Sequence, residues 1–150
     1  MEMSYQEKSI TGSLLAMLLV YGYYFAAVLR HIGQPEFGGG AIGRLMQTVI
    51  AIIVIEIVYH IVLAVQSKPE PKDERDILIE SKAYRNAYLL LATGAALAIG
   101  LVLVAGLIRD AAPTRIMVTP FLLVNVVLLF MVLAEVMKFV TQLLYYRRGL

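Results

Sequence analysis

Apolar residues fall into four long runs along this 150-residue chain, at roughly 9–29, 45–66, 86–108 and 116–141. Each run carries few or no charges and is close to the length of about 20 residues that a helix needs to cross the hydrocarbon layer of a membrane. The runs are continuous and do not alternate with polar residues, which favours helices over the strands of a membrane barrel. The pattern therefore predicts an all-α, polytopic membrane protein with four transmembrane helices.

Short polar signals mark where these helices begin and end. Ser4 and Glu7 have the spacing of a capping box, so the first helix is expected to begin near Tyr5. Two prolines after Gln66 end the second helix, and Asp73 is the expected N-cap of the third. The turn predicted before the second helix contains Gly33, Pro35 and the glycines at 38–40. The predicted helices span about 5–30, 41–66, 74–108 and 119–146, within a single domain of residues 1–150.

A weak internal repeat indicates that the four helices form two helical hairpins in tandem. At an offset of 79 residues, Tyr5 aligns with Tyr84 and Glu56 aligns with Glu135. Two tandem hairpins enter a membrane from the same side, so such a repeat runs parallel about an axis along the membrane normal. Chance is the other explanation, because apolar helices align with one another easily.

Lysine and arginine residues near the ends of the spans predict the orientation of the chain. One side, with the N-terminus, the 67–85 connection and the C-terminus, carries eight of them, and the other side carries four. This asymmetry predicts a multi-pass protein of an inner (plasma) membrane with both termini in the cytoplasm. The eight are Lys8, Lys68, Lys72, Arg75, Lys82, Arg85, Arg147 and Arg148, and the four are Arg30, Arg44, Arg109 and Arg115.

Composition agrees with a membrane protein and excludes several other classes. Hydrophobic residues make up 60% of the chain and charged residues 16%, whereas a soluble domain carries charge on roughly a quarter of its residues. Cysteine is absent, which excludes disulfides, thiol catalysis and cysteine-ligated metal. The net charge is only +2 and no basic cluster is interleaved with aromatic residues. We therefore expect no nucleic-acid partner, and no cofactor is predicted.

Four ionisable residues lie inside the predicted spans and are the main candidates for a functional site. Glu56 and His60 are four residues apart on the second helix, and Glu135 and Lys138 are three apart on the fourth. These spacings place each pair on one helix face. A charge in the hydrocarbon costs a few kcal/mol or more and generally faces a partner or a cavity. With the predicted orientation, all four residues lie in the cytoplasmic half of the membrane.

Three interpretations of this intramembrane polar cluster are open. The first is a structural network that joins the second helix to the fourth. The second is a proton or cation site, because a carboxylate beside an imidazole can exchange protons as an ion or substrate passes. The third is a metal site at Glu56 and His60, which would need further ligands, with Glu135 the obvious candidate. No metal is assigned on this evidence.

Small residues on the first and third helices predict close helix packing. Gly22 lies beside Tyr21 near the middle of the first span, where it is expected to let a neighbouring helix approach. On the third helix, Gly94 with Ala98 and Ala96 with Gly100 place small residues four apart. That spacing is typical of a surface that packs within a bundle or between protomers.

The 67–85 connection carries five positive and five negative side chains. Its charges lead straight into the third helix as a short amphipathic collar. One interpretation is a solvated helix start whose charges pair with one another. The other is a docking surface for a cytoplasmic partner or for lipid headgroups. The residues expected in such a surface are Arg75, Asp76, Glu80 and Lys82.

Three short motifs resemble small four-helix bacterial inner-membrane proteins of unknown function. They are the start Met3-Ser4-Tyr5-Gln6-Glu7-Lys8-Ser9, the central Asp73-Glu74-Arg75-Asp76 followed by Ile79-Glu80 and Tyr84-Arg85, and the ending Tyr146-Arg147-Arg148-Gly149. The resemblance covers nearly the whole chain. It implies a helical bundle with a charged cytoplasmic connection and carries no established activity.

Two functions follow as hypotheses. No nucleophile–base pair, phosphate loop or pair of catalytic carboxylates stands in the polar segments, so the chain is predicted not to be an enzyme. The leading hypothesis is an accessory, regulatory or scaffold bundle that binds a membrane or cytoplasmic protein or a second copy of itself. The alternative is a small proton-linked transporter or channel that uses Glu56, His60 and Glu135.

Overall fold

A computed structural model describes residues 4–31, 37–67, 71–111 and 119–148. These residues form four helices, and no strand occurs among them. All four helices are long and apolar enough to cross a membrane. The prediction of an all-α, multi-pass membrane protein is therefore confirmed at the level of fold class. The helices are α1 (Tyr5–His31), α2 (Phe37–Gln66), α3 (Glu74–Ala111) and α4 (Pro120–Arg148).

The predicted caps are present at the starts of α1 and α3. The amide of Ser4 donates to the Glu7 carboxylate (3.0 Å), and the amide of Glu7 donates to the Ser4 hydroxyl (3.2 Å). Asp73 and Asp76 form the same reciprocal arrangement, with bonds of 3.1 and 2.7 Å. Each cap satisfies backbone donors that the first turn of a helix leaves without an intrahelical partner.

The turn predicted at the glycines of 38–40 is wrong, because α2 begins at Phe37 and includes all three. Glycine disfavours a helix by about 1 kcal/mol per residue relative to alanine, but it does not forbid one. Backbone groups near lipid must be satisfied within the chain, which favours extending the helix. The turn residues predicted at Gly33, Pro35, Pro69 and Pro113 lie outside the described residues.

The charged collar and the third span form one continuous helix. α3 has 38 residues, which corresponds to a length of about 57 Å. The hydrocarbon layer is roughly 30 Å thick, so part of α3 stands beyond it or the helix tilts. The charged residues are concentrated in the first turns of α3, which therefore belong at the membrane surface.

The helices pack as two hairpins that meet along one seam. α1 packs against α2, α3 packs against α4, and α1 also packs against α4. No extended contact joins α2 to α3 within the described ranges. The order across the bundle is therefore α2–α1–α4–α3, and the ring that four helices could close is open between α2 and α3.

Glycine allows the closest approach within each hairpin. A Cβ atom at Gly94 of α3 would overlap the Cβ and ring of Phe130 on α4. A Cβ atom at Gly12 of α1 would overlap the ring of Tyr59 on α2. The Tyr59 hydroxyl donates to the backbone carbonyl of Lys8 (2.6 Å), which fixes the ring across α1. Each hairpin is thus built around one glycine facing one aromatic ring.

Three of the predicted packing positions do not pack against other described residues of this chain. Gly22 is exposed, and no neighbouring atom lies within 4 Å of the position of its missing Cβ. At Gly100, too, no described atom lies within 4 Å of the position of the missing Cβ, and Ala96 is exposed. The predicted close approach at Gly22 is wrong because α1 turns the Ser13 and Tyr24 side of its surface toward its neighbours. Gly94 and Ala98, in contrast, are buried.

A small apolar cluster closes the end of the bundle that lies away from the termini. Tyr24 and Val28 of α1 are buried there, and partly buried residues of α1, α2 and α4 pack around them. The Tyr24 hydroxyl donates to the buried side-chain oxygen of Asn125 on α4 (2.8 Å). The Asn125 amide group in turn donates to the Phe121 carbonyl (2.9 Å). This chain of bonds joins α1 to α4, and no buried side-chain nitrogen or oxygen of the described residues lacks a hydrogen-bond partner.

We predict that Gly94→Ala destabilises the α3–α4 hairpin. The added methyl group must displace Phe130, and overpacking of this kind costs about 1–3 kcal/mol. The measurement is the midpoint of thermal unfolding of the purified protein in detergent. A second substitution, Phe130→Ala, should reduce the penalty of Gly94→Ala only in part, because it removes the ring but keeps the Cβ atom that the methyl group also meets.

Gly100→Ala is the matched control, because open space surrounds that position and alanine favours a helix over glycine. It should leave the unfolding midpoint unchanged or raise it. Equal loss of stability in both alanine variants would contradict the packing described for Gly94.

Candidate functional site

A polar cavity of about 330 Å³ lies at the end of the bundle that holds the N-terminus of α1 and the C-terminus of α4. All four helices contribute to it, and it occupies the region where α2 and α3 fail to meet. The lining comprises Gln6, Ser9, Ile10 and Ser13 of α1, Glu56 and His60 of α2, Lys72, Asp76, Glu80 and Tyr84 in and before α3, and Lys138, Phe139, Gln142 and Tyr146 of α4. We call this space the polar cavity.

Ser13, Glu56 and His60 form a compact group on the α1–α2 wall of the polar cavity. The Ser13 hydroxyl donates to Oε2 of Glu56 (2.7 Å) and lies 3.3 Å from Nε2 of His60. His60 Nε2 is also 3.2 Å from the same Glu56 oxygen. Ser13 is buried, whereas the Glu56 and His60 side chains keep 26% and 45% of their surface exposed. The Glu56 carboxylate thus faces the polar cavity and remains accessible to solvent there.

The proton inventory of this group constrains the state of the imidazole. The single hydroxyl proton of Ser13 is used in its bond to Glu56. The Ser13 oxygen and the carboxylate can then act only as acceptors toward His60. Nε2 of His60 must therefore carry a proton to make either contact favourable. Ser13 and His60 both contact the same oxygen of Glu56, which leaves the other oxygen of the carboxylate available to a cation or a proton.

The group does not have the geometry of a nucleophilic triad. In such a triad, the imidazole contacts the serine through one ring nitrogen and the acid through the other. Here Ser13 and Glu56 both contact Nε2 of His60, so the carboxylate cannot orient the ring as a base for the hydroxyl. Ser13 is also only 4% exposed. The arrangement suits the holding and exchange of a proton rather than acyl transfer.

Two polar contacts stabilise the α3 wall of the polar cavity. The Lys72 ammonium donates to Glu80 (2.7 Å), and the Tyr146 hydroxyl donates to Asp76 (2.7 Å). Asp76 thereby serves both the cap of α3 and the end of α4. Together with Glu56, the cavity lining has three carboxylates against the two ammonium groups of Lys72 and Lys138. With His60 neutral, the lining carries one net negative charge.

Lys138 belongs to the polar cavity, whereas Glu135 does not line it. The Lys138 ammonium pairs with the Glu135 carboxylate on its own helix. It also lies 5.2 Å from the ring centre of Tyr84 and 4.6 Å from that of Phe139. The Lys138 side chain is 13% exposed and that of Glu135 is 44% exposed. The carboxylate of Glu135 therefore holds Lys138 from outside the cavity.

The four ionisable residues singled out in the spans are consequently split into two pairs. Glu56 and His60 contact each other and Ser13 of α1, and Glu135 and Lys138 contact each other on α4. No hydrogen bond or ion pair links one pair to the other among the residues that the structure describes. The predicted network joining the second helix directly to the fourth is replaced by contacts through α1. The direct link between α2 and α4 is absent because α1 lies between these two helices.

The four residues expected in a docking surface also divide. Asp76 and Glu80 line the polar cavity and are held by Tyr146 and Lys72. Arg75 and Lys82 line a separate, open groove of about 500 Å³ on the other side of α3. We call this second space the outer groove, and its lining is Asp73, Glu74, Arg75, Leu78, Ile79, Lys82 and Tyr145.

A metal site at Glu56 and His60 gains no third ligand. Within residues 4–31, 37–67, 71–111 and 119–148, no group of three histidine, cysteine, aspartate or glutamate side chains is arranged to hold a metal ion. Glu135, the predicted third ligand, pairs with Lys138 and is not part of the cavity lining. We assign no metal to this site.

Sequence reasoning missed Ser13, Lys72 and Tyr146 as members of the site. Ser13 lies 43 residues before Glu56 in the chain, so its role depends on how α1 is rotated against α2. A signal was present in the sequence, since Gln6, Ser9 and Ser13 recur at helical spacing on one face of α1. A polar stripe within an apolar helix indicates a face turned toward a cavity.

Comparison of the chain with protein-family models, with curated proteins and with solved structures finds no match. The assignment of fold class therefore depends on the helices themselves, and the case for a function depends on the polar cavity.

We predict that Ser13→Ala lowers the free energy of unfolding by about 1 kcal/mol, because a hydrogen bond to a charged group is lost. Ser9→Ala is the control, since the Ser9 hydroxyl lines the same cavity without a hydrogen bond to any described residue. Unfolding by denaturant in detergent measures both. Equal effects of the two substitutions would contradict the role given to Ser13.

Proposed function

We propose that this multi-pass membrane protein is a small proton-linked transporter or channel that acts on a small polar or cationic solute. The observation that carries the proposal is the Ser13–Glu56–His60 group on the wall of a polar cavity. A polar space of about 330 Å³ has room for several water molecules, at roughly 30 Å³ each. Because Glu56 and His60 line this space and remain partly exposed, water or a small solute can reach them.

The chemistry of the group supports proton coupling. An imidazole and a carboxylate in direct contact can pass a proton between them without large movements. Binding of a cation to the free oxygen of Glu56 would compete with protonation of that carboxylate. The net negative charge of the lining favours cations over anions at the same position. Glu56 is thus the proposed binding and exchange residue, and His60 is its proton partner.

The two ends of the bundle differ in a way that supports one-sided access. The polar cavity lies at the end with the chain termini, whereas Tyr24, Val28 and Asn125 fill the opposite end. A solute bound at Glu56 would meet this packed end before it crossed. Such a state corresponds to one of the two orientations that alternating access requires. The larger number of lysine and arginine residues on the side of the termini supports a cytoplasmic opening in an inner membrane.

The decisive experiment is proton flux into proteoliposomes of the purified full-length protein. Vesicles with a trapped pH-sensitive dye are given a pH gradient and then a series of small cations, namely sodium, potassium and methylammonium. The wild type should exchange protons for at least one of them faster than empty vesicles. Glu56→Gln should reduce the exchange by at least tenfold, and His60→Gln should alter its dependence on pH.

Glu135→Gln is the matched control, because that carboxylate lies on α4 outside the cavity lining. The transporter hypothesis drawn from sequence included Glu135 in the site, whereas the geometry supports a role for Glu135 in holding Lys138. If Glu56→Gln and His60→Gln both retain the wild-type flux and its pH dependence, or if the wild type equals empty vesicles, the proposal is overturned.

An accessory, regulatory or scaffold role is the second candidate, favoured by the outer surface of α3. Ala96 is exposed, and no described residue fills the space beside Gly100. Adjacent small residues on an unpacked helix face favour contact with another transmembrane helix. Among the described residues, α2 and α3 each pack extensively against one other helix, which leaves both with surface for a partner.

For this second candidate we predict that the double substitution Ala96→Leu and Gly100→Leu dissociates an assembly. The wild type should migrate on a native gel in mild detergent as a species larger than the 16.6 kDa chain, and the double variant should migrate as the single chain. Ala95→Leu, on a different face of α3, serves as the control. A wild type that is already a single chain would exclude an assembly through this surface.

A further inference from the structure

The outer groove lies where α3 passes from polar to apolar surroundings. Its α3 residues cover the first turns of the helix, from Glu74 to Lys82, and Tyr145 of α4 closes one side. The lining changes from charged residues at 73–75 to Leu78 and Ile79 within about one turn of helix. Because α3 is longer than the hydrocarbon layer is thick, these turns lie at the membrane surface. The groove is therefore at the depth of lipid headgroups.

One carboxylate and one ammonium group face the outer groove without an ion-pair partner among the described residues, those of Glu74 and Lys82. The Lys82 ammonium lies 5.0 Å from the ring centre of Tyr145 and forms no ion pair within the described ranges. The Glu74 carboxylate likewise has no hydrogen-bond or ion-pair partner among the described residues. The Asp73 carboxylate does have a partner, because it accepts a hydrogen bond from the amide of Asp76 in the helix cap. Glu74 thus offers a carboxylate and Lys82 an ammonium in one open space.

The balance of charge in the outer groove selects among headgroups. Arg75 and Lys82 supply two positive charges and Asp73 and Glu74 supply two negative ones, so the lining is neutral overall. A purely anionic headgroup would meet attraction and repulsion in equal measure. A headgroup that carries a phosphate and an ammonium together complements both signs. The apolar side chain of Leu78, which is 62% exposed, offers a surface to the first part of an acyl chain.

We propose that the outer groove binds a phospholipid whose headgroup is phosphoethanolamine. The phosphate is held by Lys82 and Arg75, and the ammonium is held by Glu74. A primary ammonium donates three hydrogen bonds, whereas the trimethylammonium of a choline headgroup donates none. The site therefore distinguishes ethanolamine lipids from choline lipids by hydrogen bonding to Glu74. It shares no lining residue with the polar cavity, so it stands independently of the proposed transport function.

The experiment is native mass spectrometry of the purified full-length protein in detergent, titrated with phospholipids that have identical acyl chains. The three probes are phosphatidylethanolamine, phosphatidylglycerol and phosphatidylcholine. The wild type should bind the ethanolamine lipid several-fold more tightly than either of the others. Lys82→Gln should weaken that binding about fivefold, since one charge near a membrane surface contributes about that factor.

Glu74→Gln gives the sharper result, because it changes the order of preference as well as the affinity. Without that carboxylate the outer groove carries a net positive charge, so binding of the ethanolamine lipid should weaken and binding of phosphatidylglycerol should strengthen. Arg30→Gln, an exposed substitution at the opposite end of α1, is the control and should change neither. Thermal unfolding of each variant verifies that the fold is intact.

Three results would overturn the proposal. The first is unchanged binding of the ethanolamine lipid in both Lys82→Gln and Glu74→Gln. The second is equal binding of the choline and ethanolamine lipids by the wild type. The third is a wild-type preference for phosphatidylglycerol, which would make the outer groove a simple basic surface. None of these outcomes bears on proton flux through the polar cavity, so failure of one proposal leaves the other open to its own test.

Discussion

Lipid cannot solvate an ionisable side chain, and this constraint organises the polar half of the molecule. Each charged group within the apolar lengths of α2 and α4 meets another polar group: Glu56 meets Ser13 and His60, and Lys138 meets Glu135. Pairing reduces the cost of burying charge, but it also requires space for groups that remain partly hydrated. The gap between α2 and α3 supplies that space. The polar cavity therefore exists because the ring of helices is open between α2 and α3.

The packing of α1 against α2 depends on two neighbouring residues of α1, the small Gly12 and the polar Ser13. Gly12 lets the Tyr59 ring lie directly against the α1 backbone, and Ser13 beside it reaches the Glu56 carboxylate. The first contact draws α2 close, and the second uses that closeness to hold a charge. About one turn of helix separates Tyr59 from Glu56, so both contacts act on the same side of α2. A bulkier residue at position 12 would displace the carboxylate as well as the aromatic ring.

Much of the fold could be predicted from sequence, because it depends on local rules. The length of each apolar run decides that a helix spans the membrane, and Ser4 and Asp73 set helix starts through bonds to residues three positions away. The glycines at 38–40 show the limit of such rules, since propensity disfavours a helix that the surroundings nevertheless support. Local spacing also predicted the contacts within Glu56–His60 and within Glu135–Lys138.

The composition of the candidate site could not be predicted in the same way. Ser13 enters it, and Glu135 stays outside it, because of how whole helices are rotated about their axes. That rotation results from many weak contacts such as Gly94 against Phe130, which no short motif records. The same rotation divides the charged start of α3, sending Asp76 and Glu80 inward and Arg75 and Lys82 outward. The first turns of α3 therefore line two separate spaces.

The hydrogen bonds of Asp76 couple the start of α3 to the end of α4. Asp76 closes the first turn of α3 and at the same time accepts the hydroxyl of Tyr146 near the last turn of α4. Separating these two helix ends would require breaking that bond and loosening the turn together. We therefore expect α3 and α4 to move as one rigid body and α1 and α2 as a second, with the contact between α1 and α4 as the hinge. Rotation about that hinge would change the width of the α2–α3 gap without unwinding any helix.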